Sequence, residues 1–71
     1  MTGCSDRSLL RVLDERGPAR VTVLAGELEA HPITVTQHCD DLQSDGYVRR
    51  LSADVYGITE DGREYLATLP E

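Results

Sequence analysis

VLAGELEAHPITVTQHCDDLQSDGYVRR, residues 23–50, decides the fold of this chain. Two short amphipathic segments flank Ala30-His31-Pro32, and the second stops at Gly46 ahead of the run Tyr47–Leu51. A proline disfavours helical angles at the residue before it and itself suits the first position of a new helix. The break therefore falls at His31, and a helix is predicted from Pro32 to about Asp45. At helical periodicity Val35, His38, Cys39 and Leu42 share one face. Ile33, Gln37, Asp40 and Ser44 lie opposite, flanked by Thr34, Thr36 and Asp41. Two helices joined in this way form a helix-turn-helix, whose second helix can enter a DNA major groove. That helix carries Asp40, Asp41 and Asp45 and no lysine or arginine.

Outward from this stretch, Ser5 is a candidate cap for a first helix over about Ser5–Arg16, with Asp6 in its first turn. Leu9, Val12 and Leu13 recur at helical spacing, Leu10 widens the stripe, and Gly17-Pro18 ends it. Ala19-Arg20-Val21 suits a brief strand. A second helix follows over about Thr22–Glu29, with Leu24, Ala25 and Leu28 facing inward. Gly26 weakens it, and is tolerated where another helix approaches closely. After Gly46, Tyr47–Leu51 alternates as a strand, Ser52-Ala53-Asp54 is a short turn, and Val55–Ile58 returns. Thr59 caps a last helix whose apolar stripe is Tyr65, Leu66 and Leu69. The order α-(β)-α-α-β-β-α predicts an α+β fold. It is a winged helix-turn-helix with a three-helix core, a short β-hairpin wing and a C-terminal helix, in one domain over residues 1–71. Residues 1–4 are expected to be disordered.

Composition narrows the function classes. With 71 residues and no run of about 18 apolar residues, a transmembrane span is excluded. The start, MTGCSDRSLL, does not resemble a secretory signal, and a cytoplasmic location is the expectation. The net charge is −6, with 13 acidic residues against 7 basic ones, every one of the latter an arginine. A lysine-free acidic surface on so small a domain suggests adaptation to high salt, where self-repulsion is screened. An ordinary acidic mesophilic protein is the plainer alternative. Cys4 and Cys39 make no disulfide framework, and Cys39 falls on the apolar side of its helix as a small hydrophobe.

The segments LLRVLDERGP (9–18), TVTQHCDDLQSDGYVRR (34–50) and YGITEDGREYL (56–66), in this order and spacing, resemble the winged-helix transcriptional regulators. The resemblance is closest to the small haloarchaeal phage phi-H-type repressor-like proteins, and more distant to the MarR-type regulators. It covers about residues 7–68 and implies sequence-specific binding of double-stranded DNA by a transcriptional regulator, most simply a repressor. The chain departs from the MarR-type pattern at Asp41, where that pattern is often basic, and in the short wing with an acid at its tip.

The residues themselves suggest how such binding would work. N-terminal side chains of the second helix of the motif meet base edges, here Ile33, Thr34, Thr36 and Gln37. Gln37 can pair with adenine, isoleucine and threonine can touch a thymine methyl, and Asp40 can accept from a cytosine amino group. Arg49 and Arg50, on the strand entering the wing, are the leading phosphate contacts, with Arg20 a third. His31 and the helix N-terminus behind it are a further candidate. The plainer account of all these residues is a solvated polar surface.

No P-loop, GxSxG or HExxH is present, so an enzyme is not expected. His31, His38 and Cys39 lack metal-ligand spacing, and no cofactor or small-molecule substrate is implied. Dimerisation fits a small DNA reader, with Leu10 and the Tyr65–Leu69 end as candidate contact surfaces. The alternative function is a winged-helix protein-interaction module, its acidic third helix facing a basic partner.

Overall fold

The fold follows from a few local stops and caps, seen in a computed structural model that describes residues 5–69. The expectations for residues 1–4, Cys4 included, lie outside that range. Helix α1 spans Asp6–Arg16. Ser5 precedes it in an extended conformation, and its Oγ accepts from the Ser8 N–H at 3.2 Å, satisfying one of the free donors at the helix start. At the far end the Gly17 N–H closes on the Leu13 carbonyl at 2.9 Å.

Strand β1 is only Ala19–Arg20, and helix α2 runs Val21–Leu28. Val21, expected in the strand, is instead the first helical residue. Its N–H donates to the Asp54 carbonyl of the distant wing at 2.9 Å, and its side chain is buried. Helix α3 spans Pro32–Ser44 with Pro32 in its first turn. The reversal after it needs a left-handed residue, and Gly46 supplies it at φ +85°. The Gly46 and Tyr47 N–H groups then bond the Gln43 and Leu42 carbonyls. Because Tyr47 is spent on that cap, strand β2 begins at Val48 and spans Val48–Arg50, shorter than the alternation predicts. Strand β3 is Val55–Ile58, and helix α4 is Glu60–Thr68.

The three strands form an antiparallel sheet in the order β1-β3-β2. Its inner face, bearing Val48 and Tyr56, closes a core made otherwise of helix residues. Leu9, Leu10 and Leu13 come from α1, and Val21, Leu24, Ala25 and Leu28 from α2. Val35, Cys39 and Leu42 come from α3. Leu10 is fully buried in this core, which removes it as a contact surface for a second copy.

Helix α4 closes against α1 and the α3–β2 turn. Thr59 both caps α4, accepting from the Gly62 N–H at 2.9 Å, and donates its hydroxyl to the Gly46 carbonyl at 2.7 Å. This close approach needs Gly62, since a Cβ there would overlap the Tyr47 carbonyl oxygen. The Tyr47 and Tyr65 rings stack with centroids 4.2 Å apart. Leu66 and Leu69 remain half-buried.

Candidate nucleic-acid interface

Helix α3 is held from below by Val35, Cys39 and Leu42, which leaves the opposite stripe in solvent. Ile33, Thr34, Gln37 and Asp40 are all exposed, and Ile33 is 64% exposed, the most open of the large apolar side chains. Thr34 and Gln37 make no side-chain hydrogen bond among the described residues, so their polar groups are available to a ligand. Thr36 differs from the expectation. It is half-buried, and its hydroxyl donates to the Pro32 carbonyl at 3.0 Å, so its donor is used within the helix.

His31 is the N-cap of α3. Its Nδ1 accepts from the Ile33 N–H at 3.1 Å, which fixes the neutral tautomer with the proton on Nε2. The Nε2 edge of this exposed ring is left to donate. His38, on the inner side, has a buried Nδ1 with no hydrogen-bond partner.

The two arginines entering the wing separate. Side chains alternate across a strand, and the register pairs Arg49 with Gly57 and Arg50 with Tyr56. Arg50 therefore lies on the sheet face shared with Val48 and Tyr56. Its Nε lies 3.2 and 3.1 Å from the Ser52 and Ala53 carbonyls, and its Nη2 donates to Ala53 at 2.6 Å. Arg50 thus braces the wing turn, with Nη1 outside these bonds. Arg49 lies on the outer face. It borders a shallow groove of about 320 Å³ lined also by Pro18, Leu51, Gly57 and Arg63. Arg20, opposite Val55, is on that outer face too.

Charge is segregated accordingly. Arg11, Arg16 and Arg63 pair with Glu15, Glu27 and Asp14. Arg20, Arg49 and Arg50 have no carboxylate partner among the described residues, and all three lie on the sheet. The positive pole is thus the sheet and wing, while α3 presents aspartates.

One residue of the region escaped the sequence reading. Tyr56, 2% exposed, reaches from β3 to α3 and donates its hydroxyl to Asp40 Oδ1 at 3.3 Å. Burial raises its pKa above the usual tyrosine value. The Asp40 charge and the hydrogen bond to Asp40 add to this, against an opposing contribution from Arg50. The available signal was a tyrosine in an otherwise apolar strand, since a buried hydroxyl finds a partner.

Helices α2 and α3 in tandem, a sheet β1-β3-β2 and a two-stranded wing define a winged-helix domain. The MarR family model matches residues 5–65, and the chain belongs to that family. Solved structures carry the same fold. The YusO protein of Bacillus subtilis aligns with a TM-score of 0.81 and 22% identity, over 87% of this chain and 48% of that one. The transcriptional regulator BldR of Sulfolobus solfataricus gives 0.77 and 31%, over 87% and 48%. The Zalpha domain of Carassius auratus PKZ, solved in complex with Z-DNA, gives 0.73 and 21%, over 76% and 90%. The chain spans about half the length of the YusO and BldR chains. No curated protein matches it in sequence. Among the described residues no helix is long and apolar enough to cross a membrane.

Proposed function

We propose that this chain is a sequence-specific double-stranded DNA-binding regulator of transcription, acting as a repressor in a salt-rich cytoplasm. Helix α3 enters the major groove and Ile33, Thr34 and Gln37 read bases, with Asp40 beside them. Arg20, Arg49 and the free Nη1 of Arg50 meet phosphates, as does His31 through Nε2. The observation that carries this reading is the uncovered α3 stripe: an Ile33 that is 64% exposed beside polar side chains with no internal partner. Arg20, Arg49 and Arg50, which have no carboxylate partner among the described residues, lie on the adjoining sheet. Family membership supports it, as does the description of BldR as a transcriptional regulator. The lysine-free acidic composition and the short wing fit the small phi-H-type repressors. A homodimer would form through the half-buried Leu66 and Leu69 of the α4 end, bringing two reading helices to two half-sites.

The test is an NMR titration with duplex DNA from upstream of the chain's own coding sequence, in KCl of about 1 M, where the Debye length is about 3 Å. Shifts confined to α3, His31 and the wing are expected. Absence of shifts, or shifts confined to α1 and α4, would overturn DNA reading and assign the domain to protein–protein contact.

A further inference from the structure

Of Asp40 and Asp41 on α3 and Asp45 at its C-cap, Asp40 alone is held by another side chain among the described residues, and Asp40 alone lies on the Ile33–Gln37 stripe. Asp41 and Asp45 are exposed, and their carboxylates have no hydrogen-bond partner among the described residues. Tyr56 sits under that stripe with its ring in the core and its hydroxyl on Asp40 Oδ1. Asp40 Oδ2 is left without a partner. The ring alone would fill the core equally well as phenylalanine, so the hydroxyl adds only the bond to Asp40.

We propose that Tyr56 is a positioning residue for sequence discrimination: by holding Asp40 Oδ1 it fixes the carboxylate on the base-facing stripe, with Oδ2 presented to a cytosine amino group. This rests on the DNA-binding reading above and names the base that the acidic helix accepts. A carboxylate accepts from cytosine N4 and repels the acceptor edges of guanine and thymine; adenine N6 also donates, but the N7 acceptor beside it disfavours the carboxylate. Held in place, it loses less side-chain freedom on contact, so more of the contact appears as discrimination. A tyrosine hydroxyl is protonated, and therefore a donor, at neutral pH, and burial moves its ionisation further from that range. The aspartate that looks unsuited to DNA thus becomes a selector rather than a general repellent.

The experiment is selection from a duplex pool with a randomised core about two helical turns long, in KCl of about 1 M, read by sequencing. The full chain is compared with Tyr56→Phe and Asp40→Asn. Y56F keeps the ring that fills the core, and D40N probes the same bond from the exposed side. Thermal unfolding of each variant is recorded alongside. The wild type is expected to prefer cytosine at one position by about 5-fold or more. Y56F flattens that position alone, and D40N moves it toward adenine, since an asparagine amide pairs with adenine. If a folded Y56F keeps the wild-type preference, or weakens every position in proportion, Tyr56 merely packs and the proposal fails. It fails equally if D40N leaves all positions unchanged. A pool that the wild type does not enrich refutes DNA reading itself, and this inference with it.

Discussion

An added methyl group has opposite consequences at Gly62 and at Gly26. At Gly62 an added Cβ would overlap the Tyr47 carbonyl and come within 2.8 Å of Ile58 Cγ1, where the α4 start is pinned on the α3–β2 turn. Gly62→Ala is therefore expected to destabilise by about 1–3 kcal/mol, as other overpacked sites do. Gly26 is exposed, and nothing lies within 4 Å of its Cβ position, so no close helix contact calls for a glycine there. There alanine gains about 1 kcal/mol of helix propensity and raises Tm by about 4–8 °C. Melts of the two variants should move in opposite directions; a Gly62→Ala variant with an unchanged or raised Tm would contradict the packing of α4 on Tyr47. Tyr56 makes a second residue-scale case. Its folded pKa lies above the ordinary value of about 10. The stability it contributes is complete below pH about 10 and is lost as pH rises through the raised value. Denaturant titrations from pH 8 to 11 should show an alkaline loss that is shallower in Tyr56→Phe. Equal slopes would show that its ionisation is not linked to folding. Its partner was not legible in the sequence, because a tyrosine sixteen residues from an aspartate meets it only once the sheet register is set.

At the scale of elements, what was legible is what local chemistry controls. Ser5, Gly17, Pro32, Gly46 and Thr59 each mark a boundary through a cap, a left-handed turn or a proline ring, and each boundary lies within a residue of its expected place. Two discrepancies have non-local causes. Val21 joins α2 because its N–H meets the Asp54 carbonyl across the sheet. Tyr47 leaves β2 because its N–H closes the end of α3. The wing shows the same limit in the candidate site. Strand alternation requires Arg49 and Arg50 to point to opposite faces, but it does not say which face carries the helices. It also gives no sign that the wing turn would bend its carbonyls onto Arg50. A three-residue turn with two carbonyls converging on one guanidinium is held by charge-assisted bonds rather than by apolar contact. The wing is therefore a braced projection, short but fixed relative to α3 through Arg50, Tyr56 and Asp40.

For the whole molecule, the sheet-borne arginines and the acidic helix decide how binding must respond to salt. Each neutralised phosphate contributes about −0.9 to the slope of log affinity against log salt. Arg20, Arg49 and Arg50 have no carboxylate partner among the described residues, and with these three as the phosphate contacts the slope per domain should be no steeper than about −3. Against that stands a net charge of −6, whose repulsion from DNA reaches about 10 Å at 0.1 M salt and about 3 Å at 1 M. The repulsion is relieved by the same ions that weaken the phosphate contacts, which flattens the dependence further. Fluorescence anisotropy on the selected duplex between about 0.1 and 1 M KCl should give a slope between zero and about −3 for each domain bound. Asp41→Asn should strengthen binding at the low end and leave it unchanged at the high end, since only unscreened repulsion is removed. A slope near −6 per bound domain would require more phosphate contacts than the sheet can supply, and would place the DNA on a different surface. A slope within the expected range, together with convergence of the Asp41→Asn and wild-type curves at high salt, ties the acidity of α3 to salt-tolerant recognition.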